Sequence, residues 1–167
     1  MAHGISIYQS TKVFDGFSAC FRQDKAEHTH CKYLHGYALK FKIWFEGALD
    51  ENNWVVDFGS FKREIQHLKN DTGVFLNGYC LKDWMSYMFD HTTIISKDDP
   101  HIEKFRDLDK HNIIQLREVD KVGCERFADL VFHHADYYTR HSTKNRVKVV
   151  KVECFENEKN SAICIQK

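Results

Sequence analysis

The chain has 167 residues, 43% of them hydrophobic, which suits one domain that buries a core without staples. Its 24 Lys and Arg are balanced by 24 Asp and Glu, so no charge excess points to a nucleic-acid backbone or an anionic membrane as partner. Its apolar runs are far shorter than the ~20 residues that span a bilayer, and the start MAHGISIYQS lacks a signal-peptide core, so a soluble, cytoplasmic protein is expected.

The opening residues 5–20 read mostly as strand. Residues 38–46 set Leu39, Phe41, Ile43 and Phe45 against Lys40, Lys42, Trp44 and Glu46, the period-two pattern of a half-buried strand. Asp57 then caps an expected helix whose Phe58, Phe61, Ile65 and Leu68 share one face. From 70 to 123 the pattern is weaker: a short helix is read over 81–89, and Asp98, Asp99 and Pro100 mark a turn. Residues 124–138 form a helix with Phe127, Leu130, Val131 and Tyr138 on its apolar face and Glu125 in the first turn, where a carboxylate suits the dipole. The β-branched run 147–152 and the apolar run 162–165, separated by a polar turn, read as two closing strands. With one proline, eight glycines and no repeat, a single domain over 1–167 is expected, of class α+β: a four-stranded antiparallel sheet with helices on one face. The open edges of such a sheet invite pairing with further copies. The six cysteines lack CxxC spacing and are expected as free thiols.

Chemistry-bearing residues concentrate in a few places. His28, His30 and His35 with Cys31 offer imidazole nitrogen and thiolate sulfur, the donors zinc prefers, although their spacing matches no standard structural site and ordinary loop histidines fit equally. In Asp90-His91 the carboxylate can hold the imidazole in one tautomer for proton transfer, or merely cap the next segment. Glu125 and Glu156 read by themselves as a dipole partner and a solvated strand end.

Taken in order, six segments say more. Phe17-Ser18-Ala19-Cys20-Phe21-Arg22 opens the series, and Cys31-Lys32-Tyr33-Leu34-His35-Gly36-Tyr37 follows. Trp54-Val55-Val56-Asp57-Phe58 with Lys62, then Asp90-His91, then Glu125 and the run 152–156 ending in Glu156 complete it. Across nearly the whole chain this order resembles the 6-pyruvoyl tetrahydropterin synthase and 6-carboxytetrahydropterin synthase family. The resemblance implies a T-fold in which subunit sheets join into a β-barrel, as trimers or hexamers with sites between subunits. It implies Cys31, Asp90 and His91 as proton-transfer residues, with Glu156 reading the N–H edge of a pterin and Glu125 beside it. A carboxylate facing two ring N–H groups makes a bidentate, charge-assisted pair.

Two departures stand out. The family's three zinc histidines fall at Phe21, His35 and Tyr37, leaving His35 as the retained ligand, with His28 and His30 as possible substitutes. Phe cannot coordinate zinc and a neutral Tyr does so poorly, so zinc is doubtful. In addition, 33 positions separate Asp57 from Asp90, more than the family's usual spacing, which implies an insertion over 71–88 at the pocket rim. The expected function is a lyase acting on 7,8-dihydroneopterin triphosphate in pterin or in queuosine and 7-deazaguanine synthesis. The alternatives are a metal-independent pterin enzyme and a non-catalytic pterin- or purine-binding module.

Overall fold

The computed structural model describes residues 6–65 and 80–166. Two long strands form its spine, β1 (Tyr8–Phe21) and β2 (His35–Gly47), paired antiparallel so that Phe21 lies opposite His35 and Tyr8 opposite Gly47. On β2 the alternation read from sequence places Leu39, Phe41, Ile43 and Phe45 in the core, each at most 1% exposed, while Lys40, Lys42 and Trp44 face the other way. Lys42 and Lys151 flank the Trp44 ring there at 4.7 and 4.1 Å, so the polar face is held by cation–π contacts. Strand β5 (Val147–Phe155) pairs antiparallel with β2, and β6 (Ser161–Ile165) with β5.

The sheet has six strands, not four, and is mixed. β3 (Thr92–Ser96) joins β1 in parallel and β4 (Leu116–Val119) joins β3 in parallel, giving the order β4-β3-β1-β2-β5-β6. These strands escape a pattern reading for a physical reason. All five residues of β3 are buried, so it shows no alternation, and β4 has only four residues. Parallel neighbours need a crossover, supplied between β3 and β4 by a helix, α2 (Ile102–Lys110). Its surface position leaves no residue buried, and Arg106 ties it to β4 through Glu118 at 2.7 Å.

Helices α1 (Leu81–Phe89) and α3 (Cys124–Ser142) cover the apolar face of the sheet. α3 buries Phe127, Val131, Ala135 and Tyr138, successive positions of one helical stripe. The helix expected after Asp57 is a 3₁₀ turn over Phe58–Lys62, capped by the Asp57 side chain on the Gly59 N–H. Phe61 is buried, but Phe58 is 43% exposed, so the four apolar positions do not share one buried face. The Tyr138 hydroxyl donates to the carbonyls of Ser60 and Arg63, pinning this turn against α3 while the chain leaves it extended. Leu68 lies outside the described residues, as does the expected insertion up to Tyr79; the remainder of that stretch, 80–88, is the cap of α1 and all of that helix but its last residue. All six cysteines are free thiols. No described helix is long and apolar enough to cross a membrane.

Candidate functional site

At the end of the sheet where β1 stops and β2 starts, a concavity of about 250 Å³ gathers Cys31, Glu125 and Glu156, three residues remote in sequence. Each arrives by a different local device. Cys31 sits in a 3₁₀ turn (His30–Lys32) whose cap, Thr29, accepts from the Cys31 N–H at 3.1 Å. The Cys31 carbonyl accepts in turn from the Gln23 N–H at 2.8 Å, tying this loop to the end of β1. Glu125 stands in the first turn of α3, after Gly123 at φ 122 and ψ 158, a conformation nearly confined to glycine. A Cβ at Gly123 would lie 2.8 Å from the Gln23 side-chain nitrogen, so the helix start and the loop after β1 close on each other there. Glu156 follows β5, with its N–H donated to the Asn160 carbonyl at 3.1 Å across the turn into β6.

The chemistry of this pocket is that of a hydrogen-bond acceptor. Two carboxylates and the two thiols of Cys31 and Cys124 line it, and no Lys or Arg does. Glu156 is half-buried, and among the described residues neither Glu125 nor Glu156 has an ion-pair partner. A half-buried carboxylate without a donor is costly, and a ligand presenting N–H groups relieves that cost. Glu156 and Tyr37 also border a second, wider concavity of about 600 Å³ on the side of His35 and Lys40.

The three positions corresponding to the zinc ligands do converge. Phe21 pairs with His35 across the strands and Tyr37 lies two residues on, on the same face. The Phe21 and Tyr37 rings stack at 4.0 Å, and the His35 and Tyr37 centroids are 4.6 Å apart. His35 Nδ1 donates to the Tyr33 carbonyl at 2.7 Å, so the hydrogen-bond network assigns Nε2 as the acceptor of the Tyr37 hydroxyl at 2.5 Å. Burial, then the nearby Glu156, Cys31 and Cys124, push the Tyr37 phenol up to about 12. The lone pair a metal would use is thus occupied by a neutral phenol, and Phe21 supplies no donor, so these residues do not fit zinc. His28 and His30 are exposed in the loop before Cys31. Among the described residues, no three His, Cys, Asp or Glu side chains gather as a metal-holding group.

Asp90 and His91 lie elsewhere in the chain. Asp90 caps α1, its carboxylate accepts from the Ser18 N–H at 3.3 Å, and His91 Nδ1 sits 2.9 Å from that carboxylate. His91 has φ 56, which turns the chain sharply between α1 and β3. The carboxylate fixes Nδ1 as the protonated nitrogen, and the ring is well exposed, at 77% of its side-chain surface. Asp90 lines a different concavity from Cys31, so one chain does not bring the three residues into one pocket. Gln23 and Cys124, which line the Cys31 pocket, were not singled out from sequence. Their neighbours in the chain, Arg22 and Glu125, carried the only signal.

Comparison with known proteins bears on the family and the fold. The family model described as 6-pyruvoyl tetrahydropterin synthase matches residues 10–167. Curated proteins give no significant sequence match. Among solved structures, an uncharacterized protein from Wolinella succinogenes superposes with a TM-score of 0.75 at 20% identity, covering 97% of this chain and 99% of that one. The 6-pyruvoyl tetrahydropterin synthase of Caenorhabditis elegans gives 0.58 at 17% identity, with 98% of each chain covered. That of Plasmodium falciparum gives 0.60 at 11% identity, covering 95% of this chain and 98% of that one. The α+β architecture is therefore the T-fold, and the chain belongs to the 6-pyruvoyl tetrahydropterin synthase family.

Proposed function

We propose that the protein is a pterin enzyme acting on 7,8-dihydroneopterin triphosphate with loss of triphosphate, feeding pterin or 7-deazaguanine synthesis in the cytoplasm. The observation that carries this reading is the convergence of Glu156, Glu125 and Cys31 on one pocket without a cationic side chain. Glu156 accepts the N–H edge of the pterin, Glu125 forms a second acidic wall, and the Cys31 thiol faces the bound ring. Asp90 holds His91 with Nδ1 toward the carboxylate, leaving Nε2 to exchange a proton. Because Cys31 and Asp90, which holds His91, open on separate concavities, the complete site draws its His91 from a neighbouring copy. Strands β4 and β6 end the sheet and leave edges for such assembly, with Ile163 and Ile165 exposed on β6.

A second reading is favoured by the replaced ligand set: a metal-independent reaction on a related pterin, in which the His35–Tyr37 pair occupies the place of the metal. The test of the pterin claim is calorimetric titration of neopterin into wild type and Glu156→Gln. The substitution keeps shape but removes charge, so affinity should fall at least about tenfold, in line with the ~1.5–3 kcal/mol of a charged hydrogen bond. Equal affinity in both would remove Glu156 as the anchor, and absence of binding to wild type would leave the fold without the family's ligand.

A further inference from the structure

The Cys31 pocket is rich in acceptors, and its supply of hydrogen-bond donors is narrower. Of the hydroxyls that line it, that of Tyr37 is donated to His35 and that of Ser161 to the Glu153 carboxylate at 2.7 Å, while the thiols of Cys31 and Cys124 are weak donors. Two side-chain amides remain, Gln23 and Asn160. Asn160 is exposed on the turn between β5 and β6. Gln23 is half-buried and its backbone is held on both sides: its N–H donates to the Cys31 carbonyl at 2.8 Å, and its carbonyl accepts from the Ala26 N–H at 3.0 Å. Among the described residues, no protein acceptor takes the N–H groups of the Gln23 side chain.

The amide reaches the pocket because residue 123 has no side chain. Its nitrogen lies 2.8 Å from where a Gly123 Cβ would stand, and the Glu125 Oε2 oxygen lies 3.6 Å from the same point. A side chain at 123 would take the ground that the amide occupies. The carboxylate also fixes which end of the amide points there: nitrogen beside Glu125 is attracted, whereas a flipped amide would set its oxygen against a negative oxygen. Gly123 is the N-cap of α3 and supplies no side-chain cap, so the first-turn N–H groups of that helix are open beside the amide. Ordered donors thus share one small space with the carboxylates of Glu125 and Glu156.

We propose that Gln23 is a specificity-determining residue of this pocket, its amide donating to a ring carbonyl that stands next to the N–H edge held by the acidic groups. The ligand class is a fused heteroaromatic ring with the 2-amino-4-oxopyrimidine pattern, which pterins and guanine share and which presents two N–H donors followed by one acceptor. In a ring where an amino group replaces that carbonyl, a donor is turned toward a donor. A site built for one pattern rejects the other because its own polar groups are left unpaired. Placing a pterin here rests on the function proposed above, whereas the pairing of Gln23 with a ring carbonyl holds for a pterin or a guanine.

The probes are two matched pairs titrated calorimetrically into the full chain: neopterin against 2,4-diamino-6-hydroxymethylpteridine, and guanosine against 2,6-diaminopurine riboside. Wild type should prefer the oxo member of the pair it binds by at least about tenfold, since Glu156 and Gln23 both favour it. Gln23→Leu keeps the side chain's bulk and the backbone bonds but removes the donor. It should cut that preference by about fivefold or more, by weakening the oxo ring while leaving the diamino ring within about twofold. Asn160→Ala, the rival amide, should keep the wild-type preference within about twofold. Unchanged melting temperatures would verify folding. A preference intact in Gln23→Leu, equal weakening of both members of a pair, or a preference lost instead in Asn160→Ala would overturn the assignment. A Gln23-dependent preference seen with guanosine but no binding of neopterin would keep Gln23 and discard the pterin; a wild type that binds neither ring would overturn both.

Discussion

Restoring two imidazoles should turn the Phe21–His35–Tyr37 cluster into a zinc site, and the Phe21→His/Tyr37→His variant tests whether donors alone separate this chain from a metal centre. The register already places the three positions on one face, with ring centroids 4.0 and 4.6 Å apart. Imidazole nitrogens at ~2.0–2.1 Å from a tetrahedral zinc lie about 3.4 Å from one another, which small ring rotations from this arrangement can supply. The apo variant should be weaker than wild type. Phe21 is 3% exposed, stacked on Tyr37 and edge-on to Phe127 at 5.0 Å, so a polar ring there should cost about 2–3 kcal/mol. For a chain of this size that corresponds to a fall in melting temperature of roughly 5–10 °C. Zinc at a hundredfold excess over Kd should return ~2.7 kcal/mol, most of the loss. Thermal denaturation of both proteins with and without zinc, beside metal analysis after dialysis, reads the result. A wild type that retains one equivalent of zinc through Tyr37, or a double variant whose melting temperature ignores zinc, would refute the reasoning.

Acid should destabilise the fold through His134. Burial, then the neighbouring His133 charge, push the His134 imidazole down to about 4, where it packs 4.0 Å from Trp84. The unfolded chain takes up this proton near pH 6.5 and the folded one only near 4, so stability should fall as pH drops between these values, by at most ~1.4 kcal/mol per pH unit. Between pH 7 and 4 the melting temperature should fall more steeply for wild type than for His134→Phe, and parallel curves would exclude His134 as the source. Gly123→Ala should cost ~1–3 kcal/mol from its backbone conformation and displace the Gln23 side chain. Neopterin binding should weaken along with the melting temperature, and an unaltered melting temperature would contradict the strain.

Several parts of the molecule were legible without coordinates. Strand β2 shows itself because one face is apolar and the other carries Lys40, Lys42 and Trp44, and α3 because its stripe repeats at helical spacing. Asp90-His91 is a local pair, and its 2.9 Å contact follows from adjacency and a turn at His91. The order of motifs identified the family, since an ordered set is far less frequent by chance than any member of it.

What the sequence determined by itself was therefore local: periodicity, caps, adjacent pairs, and the loss of donor atoms at 21 and 37. Tertiary structure decided everything that depends on distant segments meeting. It added β3 and β4, whose short or fully buried strands carry no alternation. It divided the expected catalytic residues between two concavities, because Asp90 is tied to β1 at Ser18 while Cys31 is tied to the loop after β1. It also set the Gln23 amide against Gly123, beside Glu125. Gln23 reads alone as a solvated loop residue. Only the chain's path, set by burial of the aromatic core between sheet and helices, brings the amide of one segment to the helix start of another.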